Sequence, residues 1–228
     1  IMGASLSGLD AAMAVVSQHG KFITDEGKTV SFRLNPGSEA LQLTLMSRTG
    51  ILPEADFYCP LPYEPLTIVT EKTIADEIAK GSDGLLDRVF QLIVAELERA
   101  DPQWAAEIGL NNLNADTLAD AWFADRKKHD PFYWAQDNLE EVERNKREKH
   151  TVPWRYTILR LHEVVEEIIP HLSEQESKRF KKGLARVFID NYAAIPSESI
   201  RRLLALREAG LIHIRALGND YEMQVNDG

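Results

Sequence analysis

The chain has 228 residues, room for one large domain or two small ones. Hydrophobic residues make up 44% and charged residues 27%, so a buried core is expected. Lys and Arg number 26 against 36 Asp and Glu, a formal charge of -10 that argues against a nucleic-acid surface but leaves room for a local basic pocket.

Cys59 is the lone cysteine, which excludes an intrachain disulfide and a cysteine metal cluster. No apolar run approaches the ~20 residues of a membrane span. A cytoplasmic location without membrane contact is expected. Only Ile1 and Met2 precede Gly3, too little for a buried strand. The chain is therefore expected to be a piece of a longer protein.

Residues 1–69 read as α/β. Leu6 to Val16 is a small-residue helix, with Ala11, Ala12 and Ala14 permitting close approach to a sheet and Gly20 as its C-cap. Thr29 to Leu34 alternates as an exposed strand, and Asn35-Pro36-Gly37-Ser38 is a turn. Leu41 to Met46 reads as a strand entering the core. Pro53, Pro60, Pro62 and Pro65 then enforce an extended crossing loop.

Residues 70–186 read as a helical insertion of five or six helices. Stripes run through Leu85, Val89, Leu92, Ile93 and Leu97, through Leu118, Trp122 and Phe123, and through Ile158, Leu161, Val165 and Ile168. Ser173-Glu174-Gln175-Glu176 has the form of a capping box, and its helix should carry Phe180, Leu184 and Val187. Residues 187–228 read as a return to α/β. Val187-Phe188-Ile189 is a short β-branched run, and Ile200 to Leu206 forms a helix stripe. Leu211–Arg215 and Tyr221–Val225 read as strands. The expected fold class is therefore α/β: a partial Rossmann-like domain from 1–69 and 187–228, with 70–186 inserted.

Gly3-x-Ser5-x-x-Gly8 matches a dinucleotide turn with serine in the second glycine place. Gly3 would make the tight turn, Gly8 the close helix–strand contact, and Ser5 and Ser7 would offer hydroxyls to a pyrophosphate at the helix N-terminus. Small-residue packing before an alanine-rich helix is the alternative. The second strand ends in Ser47-Arg48, where an arginine suits a ribose 2′-phosphate. Arg48 lies 40 positions beyond Gly8, against roughly 20 in the usual fingerprint, so a hairpin around Val30–Leu34 must take up the excess. The competing role of Arg48 is a surface arginine at a strand end.

The segments Gly3–Ala12 and Met46-Ser47-Arg48-Thr49-Gly50-Ile51-Leu52-Pro53, with Asn191–Pro196 later, resemble the second nucleotide-binding region of bacterial FAD-NAD(P)-binding proteins, which are distantly similar to flavoprotein reductases and N-hydroxylating monooxygenases. The resemblance implies an NAD(P)H oxidoreductase in which this chain supplies the NADP or NAD region. It implies Gly3, Ser5, Ser7, Gly8, Ser47 and Arg48 as coenzyme contacts. It also implies a partner FAD-binding domain on the same parent chain, with FAD held there and not by this fragment. No catalytic side chain is assigned.

Other chemistry is weaker. Ser5 on a strand-to-helix turn, with Asp190 and His213, would follow the chain order of a serine hydrolase. None of the six histidines forms H-E-x-x-H, because His162-Glu163 lacks its second histidine. Trp104, Trp122, Trp134 and Trp154, with Phe132 and Tyr133, read as helix–helix core, and the alternative is a substrate or flavin wall or a partner surface. Lys178, Arg179, Lys181, Lys182 and Arg186 form a basic helix face. A non-catalytic binding or protein-interaction module with a degenerate fold is the alternative function.

Overall fold

The computed structural model describes residues 1–218 and 220–222. In chain order the elements are α1 (Leu6–His19), β1 (Gly20–Asp25), β2 (Lys28–Leu34), β3 (Leu43–Ser47), α2 (Glu71–Ala79), α3 (Leu85–Ala100), α4 (Pro102–Ile108), α5 (Leu118–Ala124), α6 (Pro131–Glu148), α7 (Pro153–Val165), α8 (Glu174–Lys182), α9 (Leu184–Tyr192), α10 (Ser197–Glu208) and β4 (Ile212–Ala216). Unit 1 comprises Ile1–Asp56, Arg126–Glu143 and Ala193–Gly228. Unit 2 comprises Phe57–Asp125 and Arg144–Tyr192.

Unit 1 is built on parallel pairing. β3 and β4 pair in parallel from Leu43↔Ile212 to Ser47↔Ala216. Parallel strands cannot be joined by a tight turn, and here the whole of residues 48–211 separates them. The first residues extend the pairing on the other side of β3. Met46 N–H donates to Ile1 O at 2.9 Å and Gly3 N–H to Met46 O at 2.7 Å, an isolated parallel bridge at Met2. α1 buries Gly8, Leu9, Ala12 and Val16 along one face. It runs straight into β1 at Gly20, where a Cβ would stand 2.4 Å from Arg33 O. The side-chain-free residue is therefore fixed by close approach, and its extended backbone is not that of a left-handed cap.

β1 and β2 form an antiparallel hairpin from Gly20↔Leu34 to Asp25↔Lys28. Its turn places Glu26 at φ 47° and Gly27 at φ 79°, the positive values a tight hairpin needs. Phe22 meets Phe32 edge-on at 4.8 Å, and Thr29 hydrogen-bonds Glu198 of α10. The part of α6 that belongs to unit 1 is tied in by Asn138, whose Oδ1 accepts the Ala55 N–H at 2.8 Å. Arg201 pairs with Glu143 at its far end. A parallel bridge between Ala55 and Ile195 joins the two ends of the chain again.

Unit 2 is helical among its described elements. α3 buries Leu85, Leu86, Val89, Phe90, Ile93 and Leu97. Glu96 interrupts that apolar stripe with no exposed surface. Its carboxylate accepts the backbone N–H groups of Thr67 and Val69 at 3.0 Å and that of Ile68, and pairs with Arg99 at 2.8 Å. Arg160 and Tyr156 of α7 hold the same proline-rich segment further up: Arg160 donates to Glu64 O at 2.9 Å, and the Tyr156 hydroxyl accepts the Glu64 N–H at 2.7 Å. The capping box at Ser173 forms with both of its hydrogen bonds, and Glu176 also accepts the Leu86 N–H at 3.1 Å.

The α/β expectation holds in coarse form. The chain is mostly helical, and each sheet among the described residues has two strands, so the larger Rossmann-like sheet is not displayed. Val187-Phe188-Ile189 is helix, not strand. Gly183 breaks the expected continuous helix because a Cβ there would stand 2.1 Å from Ala115 O. α9 then restarts and buries Leu184, Val187, Phe188 and Asn191 at helical spacing. The return to unit 1 comes at Ala193, and residues 126–143 belong with the chain ends, where the sequence reading ran 70–186 as one block. The expected strand Tyr221–Val225 shows no strand at 221–222, and the remainder lies outside the described residues.

Candidate functional site

The carboxyl ends of the parallel strands in unit 1 carry the residues of interest. Gly3 turns the chain at φ 109°, a conformation most side chains resist. Ser5 follows in extended conformation as the N-cap of α1, yet its side chain makes no capping hydrogen bond, and the first turn holds no acidic residue. Ser5 and Ser7 are exposed. The early N–H groups of α1 therefore lack a side-chain acceptor and form a weak positive end. Gly8 is buried, and a Cβ there would stand 2.5 Å from Gly3 O. Gly8 thus occupies a position with no room for a side chain, and Gly3 a backbone conformation that favours glycine.

Ser47 and Arg48 close β3. The Ser47 hydroxyl accepts the Gly50 N–H at 3.0 Å, which leaves its own proton to donate elsewhere. The Arg48 carbonyl accepts the Gly218 N–H at 3.0 Å, while its side chain is exposed and makes no ion pair among the described residues. Gly50 turns at φ 70°, and a Cβ there would meet the Ala216 Cβ at 3.1 Å.

A pocket of about 180 Å³ opens at the ends of β3 and β4. One wall is Thr49–Leu52 with Ile214 and Ala216. The other comes from Arg126, Lys127, His129, Pro131 and Trp134. Arg126 is 5% exposed and donates to Leu52 O at 2.6 Å. Its other terminal nitrogen lies 3.6 Å from Glu54 Oε1, which also accepts the Trp134 indole N–H at 3.4 Å. His129 packs against Trp134 with ring centroids 5.6 Å apart. Asp130 Oδ1 accepts the N–H groups of Phe132 and Tyr133 and so caps α6.

Of the sequence-predicted residues, Gly3 follows the Met2 bridge to Met46, Ser5, Ser7 and Gly8 lie at the start of α1, and Ser47 and Arg48 lie at the end of β3, all in unit 1. Arg126, Lys127 and His129 carry no sequence signal for a site. The Asp130-Pro131-Phe132-Tyr133-Trp134 corner reads first as core, with a substrate or flavin wall as its alternative, and Trp134 lines the pocket. The hydrolase reading gains no support: Asp190 accepts the Trp122 indole N–H at 2.8 Å in unit 2, and His213 meets Gln42 at 2.8 Å. Trp104, Trp122 and Trp154 do form one cluster in unit 2, with centroids 5.0–6.3 Å apart. The basic face on α8 is partly neutralised, because Arg179 bridges Asp87 and Asp116 at 2.7 Å. Among the described residues no group of three or more His, Cys, Asp or Glu is placed to hold a metal ion, and no helix is long and apolar enough to cross a membrane.

The YdhS-like middle domain family matches residues 70–192, more than half of the chain. The chain belongs to the YdhS-like family. It is 70% identical over 227 residues to the uncharacterized protein YdhS of Escherichia coli (strain K12). It spans 42% of the length of that curated relative. The expected membership of the FAD-NAD(P)-binding group is thereby corrected, and with it the description as an FAD- and NADP-linked Rossmann flavoprotein oxidoreductase. The physical reason is that the segments carrying the resemblance, Gly3–Ala12 and Met46–Pro53, are short. A glycine turn before a small-residue helix is a general packing solution. The matched domain begins after both, at residue 70.

Proposed function

We propose that unit 1 is a ligand-binding module that holds the phosphate-bearing part of a nucleotide at the Gly3–Gly8 turn. The carrying observation is the close approach of Gly8 to Gly3 at the uncapped start of α1, beside a parallel strand. A glycine turn that leaves a parallel bridge and enters a helix is the kind that presents backbone N–H groups to a pyrophosphate. Arg48, exposed at the end of the neighbouring strand, suits a second phosphate such as a ribose 2′-phosphate. The proposed role is binding. A cytoplasmic setting belongs to the same proposal.

Titration of the chain with NADPH, NADH and ADP by calorimetry tests it. Saturable binding lost in Gly8→Asp, with the fold retained by circular dichroism, supports the module. Absence of binding by all of these nucleotides in the unsubstituted chain, or equal affinity in Gly8→Asp, rejects it.

A further inference from the structure

The pocket beside Gly50 contains none of the glycine-turn residues, and it has a chemistry of its own. The Trp134 N–H is committed to Glu54, so what this side chain offers the pocket is ring surface, shared with the His129 ring that lies against it at 5.6 Å between centroids. Arg126 is committed to Leu52 O and Glu54, which fixes the wall and compensates the Glu54 charge. The Asp130 carboxylate is engaged by the α6 backbone. Lys127 is different: it is exposed and makes no hydrogen bond or ion pair among the described residues. Thr49 Oγ1 accepts the Ile51 N–H at 3.4 Å and keeps a proton to donate. The floor is small and apolar, with Gly50 and Ala216 side by side.

We propose that this pocket is a ring site for a planar ligand bearing an anionic group, with Trp134 as its stacking face and Lys127 as the counter-charge. Size supports a single ring system. About 180 Å³ falls below the roughly 300 Å³ at which sites for whole drug-sized ligands begin. Flat rings stack on indole whatever their identity, and an ammonium at the rim selects those with a carboxylate or phosphate. Arg126 acts as a positioning residue, holding Leu52 and, through Glu54, the indole. Two sources share this chemistry: the base and phosphate of a nucleotide, or a free aromatic acid. The site stands whether or not the glycine turn holds a phosphate.

Calorimetric titration of the chain with AMP, benzoate and ribose 5-phosphate tests the site. Saturable one-to-one binding of AMP, of benzoate or of both is expected, with ribose 5-phosphate at least about tenfold weaker than AMP. AMP alone identifies the nucleotide source, and benzoate identifies the free acid. Trp134→Leu should weaken the bound ring at least about tenfold. Lys127→Glu, at an exposed position that leaves the fold intact, should weaken it severalfold, and Gly8→Asp should leave benzoate unaffected. The proposal is overturned if neither ring compound binds at millimolar concentration. It is also overturned if binding ignores Trp134→Leu or ignores Lys127→Glu, or if ribose 5-phosphate binds as tightly as AMP. Loss of nucleotide binding in Gly8→Asp with a ring site insensitive to Trp134→Leu would remove this proposal and leave the glycine-turn module standing.

Discussion

Gly8 lies so close to Gly3 that a methyl group on residue 8 would stand 2.5 Å from the Gly3 carbonyl oxygen and 2.8 Å from its carbonyl carbon. Both are backbone atoms, so no side chain can swing aside. Alanine normally favours a helix over glycine by about 1 kcal/mol. Overpacking of this severity costs about 1–3 kcal/mol and should win. Gly8→Ala is therefore expected to lower the denaturant midpoint, while Ser7→Ala, one residue earlier and exposed, stays near neutral. A raised midpoint for Gly8→Ala would show that the turn and helix are not held at this distance.

Glu96 anchors the proline-rich segment to α3. Burial raises its pKa, but hydrogen bonds from Arg99 and from the backbone of Ile68 and Val69 outweigh that and hold it below 4.5. A carboxylate with a lowered folded pKa stabilises fully above its unfolded value and loses that stabilisation as pH falls through the folded one. Glu96→Gln should cost about 1.5–3 kcal/mol at neutral pH, because several donors lose a charged acceptor. The deficit should shrink below pH 4.5. Thermal melts of both chains across pH 3–7 give the comparison, and a constant difference over that range would show that the charge is not what matters.

Local signals were legible and long-range ones were not. The capping box at Ser173 needs four consecutive residues, and both of its hydrogen bonds form. β4 could be read from its apolar run, and its parallel partner β3 likewise, although nothing in either run specifies the other. β1 has no clean alternation and exists because β2 pairs with it. Glu96 sits within an apolar stripe, so periodicity marks the face but not the reason for a charge on it. The pocket was least accessible. Arg126, Trp134 and Asn138 reach Leu52, Glu54 and Ala55 across 74, 80 and 83 residues, and no local pattern encodes such contacts.

Arg179 is held between Asp87 and Asp116, at 2.7 Å from each. Hydrogen bonds from Arg179 pull the Asp87 carboxyl below its usual 3.8, and both carboxylates push the guanidinium upward. All of these groups keep substantial exposure, so solvent screens the pairing. Arg179→Gln should cost about 1 kcal/mol or less at low salt, and less still in 1 M salt. Asp87's contribution is present above 3.8 and fades as pH falls below it. Urea unfolding at two ionic strengths checks this. A penalty that grows with salt would contradict the electrostatic account.

Arg48 sets the expected coenzyme preference if the nucleotide lies as proposed. Its side chain is exposed just after β3, whose Met46 bridges Met2 ahead of Gly3, and it makes no ion pair among the described residues. Ser47 beside it keeps a hydroxyl proton to donate. Neither neighbour, Ser47 or Thr49, is acidic, so nothing adjacent in sequence favours a bare 2′-hydroxyl. One charge-assisted contact to a 2′-phosphate is worth about 1.5–3 kcal/mol, a preference of roughly ten- to a hundredfold for NADPH over NADH. Arg48→Ala should erase most of that preference and leave NADH affinity nearly unchanged. Because the residue is exposed, the substitution should not disturb the fold, and a melting curve verifies that. If Arg48→Ala weakens both coenzymes equally, or neither, the 2′-phosphate lies elsewhere and Arg48 is a solvated strand-end residue.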